Sequence, residues 1–233
     1  MEKSNSLSTS FSSSITNNLQ DPLMDTAEVV LDSVLDDGVL KDIPVVKYVV
    51  SAYKLIDDIR GRFYLRKLEK FIFSFNARLA SEKEIEEYRA KFSGQNRDSE
   101  LSYILAIIDK YVDMEKPSIL AKLFLAYLDQ TISWSEFCAY SEVLDKILVS
   151  DLRYLQQNNT YTVYSNRFPS ELLRLTGVGL MYSYQHDSVF ESDGHGGIAV
   201  FASAFTRVEN QERVFSVTLF GKKFKEIVYS ITN

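Results

Sequence analysis

Residues 39–70 read VLKDIPVVKYVVSAYKLIDDIRGRFYLRKLEK. An apolar helical pattern from Ile43 to Ile59 gives way at Arg60 to a dense basic and aromatic cluster. Asp42 is placed to cap a helix opening on Ile43-Pro44, where proline is tolerated because its missing N–H would have no intrahelical acceptor. At about 100° per residue, Lys47, Ser51, Lys54 and Asp58 share one narrow stripe, and Val45, Val46, Tyr48, Val49, Val50, Leu55 and Ile56 spread over the wider remainder. Two readings follow. The helix is a bundle member with its thin polar stripe facing water, or the stripe lines a water-filled pore while the wide face meets lipid or neighbouring subunits. Ionisable groups at membrane depth are tolerated only where they face a cavity or a bundle interior. The span from Ile43 to Arg60 rises roughly 26 Å, short of a ~30 Å hydrocarbon layer, so the second reading needs a longer helix or a thinner bilayer.

Just downstream, Arg60, Arg62, Phe63, Tyr64, Arg66 and Lys67 form a candidate site for lipid headgroups or another anionic ligand. Arginine grips phosphate bidentately, and aromatic rings sit at headgroup level or stack on bases. The same cluster suits a solvated helix face paired with acids from residues 25–37. Charge is unevenly spread along this half. Residues 1–40 carry seven acidic residues against Lys3, and residues 41–70 carry eight basic against four acidic ones. Such asymmetry implies either an acidic arm over a basic helix or a partner for the basic patch.

The whole chain of 233 residues is net −6, which disfavours a general nucleic-acid binder. With 15 Phe and 14 Tyr against nine Gly and four Pro, it favours long helices over a loop-rich or all-β fold. Cys138 is the only cysteine, so no internal disulfide forms and a reducing compartment is expected. Residues 1–20 are rich in Ser, Thr and Asn and lack the apolar core of a signal peptide, which predicts a flexible arm. No uninterrupted apolar run reaches transmembrane length. A cytoplasmic chain is expected.

Helices are expected over 22–36, 43–60, the run after Gly61, 82–92, 99–113, 117–130 and, capped by Ser133, 134–157. Composition shifts at QQNNTYTVYSN (156–166). Beyond it, Ser170 opens a helix to about Leu180, GVGLMYSYQ leads into an extended segment, and IAVFASAFTRV and RVFSVTL read as strands. A short helix, LFGKKFKEIVYSI, closes the chain. The expected fold is mainly α: a multi-helix region over 21–157, then a small α+β module over 158–233.

No catalytic constellation stands out. GVG at 177–179 is too short for a dinucleotide fingerprint, and no serine lies in a nucleophile-elbow motif. His186 and His195 flank an acidic, glycine-containing stretch that reads as an exposed wing loop. No metal site, cofactor or enzyme activity is assigned.

SELLRLTGVGLM, two strands and VTLFGKKFKEIV together resemble the end of a winged-helix domain. That family has a recognition helix ending in a Gly-Leu turn, a β-wing, and often a closing Thr-x-x-Gly-Lys helix start. Gly179-Leu180 and Thr218, Gly221 and Lys222 match those positions. The resemblance implies nucleic-acid contact through Arg174, Arg207 and Arg213. The recognition helix carries only Arg174, however, which makes ligand sensing or protein docking an equal alternative to duplex reading.

The run LKDIPVVKYVVSAYKLIDDIRGRFYLRKLEKFIFSF resembles a little-characterised bacterial family found in anti-phage defence neighbourhoods. The similarity extends more weakly through PSILAKLFLAYLDQTISWSEFCAYSEVLDKILVSDLRYL. The nearest functional analogue is the membrane effector of Hailong-type defence. What this implies is a non-enzymatic homo-oligomer that permeabilises the inner membrane when released from a single-stranded DNA or nucleotide ligand. Lys47, Ser51, Lys54 and Asp58 would line its path, and a partner protein would be encoded alongside. It would be cytoplasmic, and associated with the inner membrane when active. The rival expectation is a winged-helix DNA-binding regulator or an interaction adaptor.

Overall fold

The computed structural model describes residues 6–14, 43–53, 59–79, 81–92, 97–164, 168–185 and 213–229. The fold is mainly helical with one small antiparallel sheet, and the chain divides into two compact units, Met1–Asp145 and Lys146–Ile231. The expected helix 22–36, the strand run 198–208 and the stretch 54–58 lie outside the described residues.

The first unit contains α1 (Leu7–Ser14), α2 (Pro44–Tyr53), α3 (Ile59–Asn76), α4 (Glu82–Lys91), α5 (Arg97–Lys110), α6 (Lys116–Leu128) and most of α7 (Trp134–Lys146). Within the expected flexible arm over 1–20, residues 7–14 form a helix, and 1–5 and 15–20 lie outside the described residues. Leu7 and Phe11 are an i, i+4 pair on one face of α1 and bury almost completely. Phe11 stands within 5.2–6.3 Å, ring to ring, of Phe71, Phe75, Phe92 and Phe124. Gly61, expected to precede the second long helix, lies inside α3.

α6 is the most enclosed helix. Leu120, Ala121, Leu123, Phe124, Leu125 and Leu128 leave it buried around most of its circumference, and it packs chiefly on α3. Burying side chains of this size removes roughly 1.5–3 kcal/mol of apolar exposure cost apiece, which makes this aromatic layer the anchor of the unit. Serine-glutamate capping boxes start α4 at Ser81/Glu84 and α7 at Ser133/Glu136, the latter at the expected position.

The expected helix 134–157 is broken. α7 stops at Lys146, Leu148 is extended (φ −85°, ψ 147°), and a 3-10 turn over Val149–Asp151 leads into α8 (Leu152–Gln157). The cause is a buried carboxylate. Asp151 accepts the Leu148 N–H at 2.9 Å and a two-pronged contact from Arg174 (Nε 2.8 Å, Nη2 2.6 Å), so the backbone turns to aim it inward. The two units meet at Asp145/Lys146, whereas the sequence reading set the change at 157/158.

The second unit continues with β1 (Thr160–Val163), α9 (Ser170–Gly177), β2 (Met181–Gln185), β3 (Arg213–Val217) and α10 (Leu219–Tyr229). The sheet order is β1-β3-β2, with both pairings antiparallel. α9 ends three residues before the expected Leu180, in a Schellman motif. Gly179 (φ +79°) takes the left-handed position, its N–H reaches the Thr176 carbonyl, and the Leu180 N–H reaches that of Leu175. Leu175 and Leu180 are the buried apolar pair that accompanies such a stop.

Candidate functional site

The half of the polar stripe that the structure describes, Lys47 and Ser51, is exposed. Lys54 and Asp58 lie outside the described residues. The opposite face of α2 is spent inside its unit. Ile43, Val45, Val46 and Val49 are at most 1% exposed, and α1 packs against the helix. α1 also caps it: Ser14 Oγ accepts the Val45 N–H at 2.9 Å, one of the first-turn donors that no helix can satisfy internally. Asn76 Nδ2 donates to the Ser14 carbonyl at 3.4 Å from the end of α3. In the first unit, Ser10 Oγ and Asn76 Oδ1 are buried with no partner among the described residues. The seat of α1 is apolar at Leu7 and Phe11 and incompletely satisfied at its polar atoms.

The basic and aromatic cluster of α3 splits by helical face. Arg60, Arg62 and Phe63 are exposed, and Arg66 is half-buried. Arg60 pairs with Asp109 at 2.7 Å in an exposed contact, of a kind worth about 0–1 kcal/mol. Tyr64 and Lys67 do not face an outer ligand, which corrects their assignment. Tyr64 is 6% exposed, and its hydroxyl points at the Leu105 carbonyl. Lys67 is 5% exposed and donates to the carbonyls of Asp109 and Tyr111 at 2.8 and 2.9 Å, closing the C-terminus of α5. Burial lowers the Lys67 pKa below its ordinary 10.5, with Asp109 opposing that shift and Arg60 adding to it. Lys116 repeats the device at the end of α7, donating to the Asp145 carbonyl at 2.9 Å.

In the second unit the three arginines of the winged-helix expectation part company. Arg174 is clamped to Asp151, whose side chain is wholly buried. Arg213 lies over the Phe168 ring at 5.0 Å, and Arg207 is outside the described residues. The Thr218-x-x-Gly221 element has a structural use. Thr218 Oγ1 accepts the Gly221 N–H at 2.9 Å, capping α10, and donates to the Gly179 carbonyl at 2.8 Å. A Cβ on Gly221 would stand 2.1 Å from the Leu180 carbonyl oxygen, so this motif locks the α10 start onto the α9 stop.

Sequence reasoning passed over a pair that the sheet presents. Tyr182 and Tyr184, two apart on the edge strand β2, lie on the same face, 49% and 46% exposed. Their rings are stacked at 6.0 Å and 22°. The i, i+2 spacing in MYSYQ was the available signal. Neighbouring strands add Thr160 and Ser216 to the Tyr182 row and Thr162 and Val214 to the Tyr184 row.

Among the described residues, no three His, Cys, Asp or Glu side chains gather as a metal site. No helix there is long and apolar enough to cross a membrane. Compared with protein-family models, curated proteins and solved structures, the chain matches none.

Proposed function

We propose that the chain is a non-enzymatic bacterial defence effector, here in a restrained form. On release from a nucleic-acid or nucleotide ligand it oligomerises and permeabilises the inner membrane. One observation carries the reading: the apolar face of α2 is covered and capped by α1, an eight-residue helix whose seat leaves Ser10 Oγ and Asn76 Oδ1 buried with no partner among the described residues. A membrane-seeking face of this kind needs a displaceable cover. In the oligomer, Lys47, Ser51, Lys54 and Asp58 line the path, and Arg60, Arg62 and Arg66 meet phosphates or headgroups. The N-terminal half has the defence-family resemblance described above, and the partner protein of such a system is encoded alongside.

The test is membrane potential in cells expressing the chain, followed with a voltage-sensitive dye. Depolarisation ahead of growth arrest is expected. Reversing Lys47 and Lys54 to Glu should change ion preference without unfolding the protein. A steady potential in cells rich in folded protein, with the cover weakened by Phe11→Ala, would refute the reading.

A second reading, a winged-helix-like adaptor or regulator, is supported by the Schellman stop at Gly179-Leu180, the Thr218–Gly221 lock and the antiparallel β2/β3 pair after α9. With Arg174 held by Asp151, protein docking suits it better than duplex reading. Salt-sensitive, sequence-specific duplex binding by the full chain would select the regulator instead.

A further inference from the structure

The seat of α1 holds its helix partly through groups that ignore side-chain identity. At one end the Asp98 carboxylate, in the first turn of α5, accepts the Ser8 N–H at 2.7 Å. At the other, Asn76 Nδ2 donates to the Ser14 carbonyl at 3.4 Å. N–H groups at the start and carbonyls at the end are what every helix leaves unsatisfied. Between these clamps α2, α4 and α5 pack on α1, and the rings of Phe71, Phe75, Phe92 and Phe124 receive Phe11.

α1 fills this groove imperfectly. Its buried seam is Leu7, Ser10, Phe11 and Ser14, spaced i, i+3, i+4, i+7, so half of it is serine. Ser14 uses its hydroxyl twice, donating to the Ser10 carbonyl at 2.8 Å and accepting the Val45 N–H at 2.9 Å. The Ser10 hydroxyl is buried with no partner among the described residues, and so is Oδ1 of the same Asn76 amide that clamps the end of α1. Alanine in place of Ser10 removes the first defect. A lysine or arginine in the turn after Ser14 supplies a donor for the second, where the negative end of the helix also favours a cation. This chain has Ile15, Thr16, Asn17 and Asn18 there.

We infer that this groove is a docking site for a helix of a partner protein, and that α1 is the occupant this helix displaces. The partner's helix carries Leu and Phe at i, i+4, a small apolar residue just before the Phe, and a cation in the turn beyond. Covalent attachment gives α1 an effective concentration on the order of millimolar at its own seat. The α1 of a second copy offers the same contacts and the same defects without that advantage, so only a better-fitting helix wins. The inference rests on the function proposed above and names what removes the cover from α2. Its test involves no membrane, so depolarisation can fail while docking holds, and the reverse.

The experiment is fluorescence anisotropy of the purified full chain with three fluorescein-labelled synthetic peptides of residues 1–20. One has the parent sequence, one carries Ser10→Ala and Asn17→Lys, and one adds Phe11→Ala to those two changes. The full chain is used as the parent and with its own α1 weakened by Leu7→Ala or, more severely, Phe11→Ala, each checked for fold by far-UV circular dichroism. The doubly substituted peptide should bind the weakened chains roughly 5-fold or more tightly than the parent-sequence peptide does. It should bind the Leu7→Ala chain roughly 10-fold or more tightly than the parent chain, whose own helix competes. The peptide lacking Phe11 should not bind. Adding Asp98→Ala to the Leu7→Ala chain should weaken peptide binding roughly 3-fold or more, because one clamp is lost. No peptide binding to a folded, weakened chain, or affinity indifferent to the peptide's Phe11, would overturn the inference. So would equal affinity of the parent-sequence and doubly substituted peptides, which would make the α1 of a second copy as fit an occupant as any partner. The milder Leu7→Ala chain keeps the test decisive where Phe11→Ala fails to fold.

Discussion

At the scale of single residues, three glycines of the second unit make three different predictions from one kind of substitution. Gly221→Ala drives a Cβ to 2.1 Å from the Leu180 carbonyl oxygen and 2.9 Å from Val217 Cγ1, and neither the backbone nor the cap can yield freely. It should destabilise at or above the top of the roughly 1–3 kcal/mol range for overpacking. Gly179→Ala meets no neighbour within 4 Å but must hold φ +79°, costing about 1–2 kcal/mol from backbone strain alone. Gly177→Ala, in open space in the last turn of α9, should gain about 0.4–1 kcal/mol. Denaturant midpoints of the three variants in the full chain check the order. A Gly221→Ala protein as stable as the parent would mean that α10 does not approach Leu180 as described. Asp151 belongs to the same scale. Asp151→Ala strands the Leu148 N–H and the Arg174 fork together, so it should unfold the second unit more readily than Arg174→Lys, which keeps the charge and loses only one prong.

At the scale of elements, the decisive contact is α1 on α2. Phe11→Ala empties the centre of a five-ring cluster and should cost about 3–5 kcal/mol. Ser14→Ala removes only the cap on Val45 and should cost about 0.5–2 kcal/mol. Both should speed hydrogen exchange at Val45–Val49 before the rest of the unit is affected. Uniform acceleration across α3 and α6 would instead make α1 an inseparable part of the core. This contact also marks where the sequence stopped being readable. Periodicity, and at α7 the Ser133 cap, located α4, α5, α6 and the start of α7 to within a few residues, because these signals are local. α1 was hidden by composition. Serine and threonine have weak helix propensity, and the segment is ordered by non-local contacts: α2 some thirty positions on, and the rings around Phe11 sixty or more positions away. β1 was missed for a similar reason: TYTV becomes a strand through its pairing with β3, fifty residues on. The α7 break needed the partner of Asp151 to be known. Of the candidate sites, helical spacing anticipated the shared exposure of Lys47 and Ser51, while Lys54 and Asp58 lie outside the described residues. The fates of Tyr64, Lys67 and Arg174 were not legible, since each is decided by a carbonyl or carboxylate from another element.

At the scale of the whole molecule, the tyrosine-rich composition sets an alkaline limit on stability. Burial is the first cause that raises the phenols of Tyr88, Tyr103, Tyr111 and Tyr127 in the first unit and of Tyr161 and Tyr229 in the second. Tyr103 and Tyr229 are pushed up to about 12, against an ordinary value of 10.0. Below pH 10 both states hold these protons, and the phenols make no pH-dependent contribution. Between pH 10 and about 12 the unfolded chain ionises first and binds fewer protons, so stability falls as pH rises. Lys67 and Lys122 act in the opposite sense. Burial lowers both, so the unfolded chain holds more protons up to 10.5 and their contribution rises with pH until then. The two effects oppose each other near pH 10, and above 10.5 only the tyrosines remain. Four of the six lie in the first unit, so its helices should melt at lower denaturant concentration than before while the sheet of the second unit persists. Far-UV circular dichroism against urea at stepped pH, read together with tyrosinate absorbance, tests this. The midpoint of the first unit should fall steadily from pH 10.5 to 12, with one part of the tyrosinate absorbance rising only as the helices melt. Complete ionisation at an unchanged midpoint would mean that these six phenols are open to water and that the aromatic layer is looser than its packing implies.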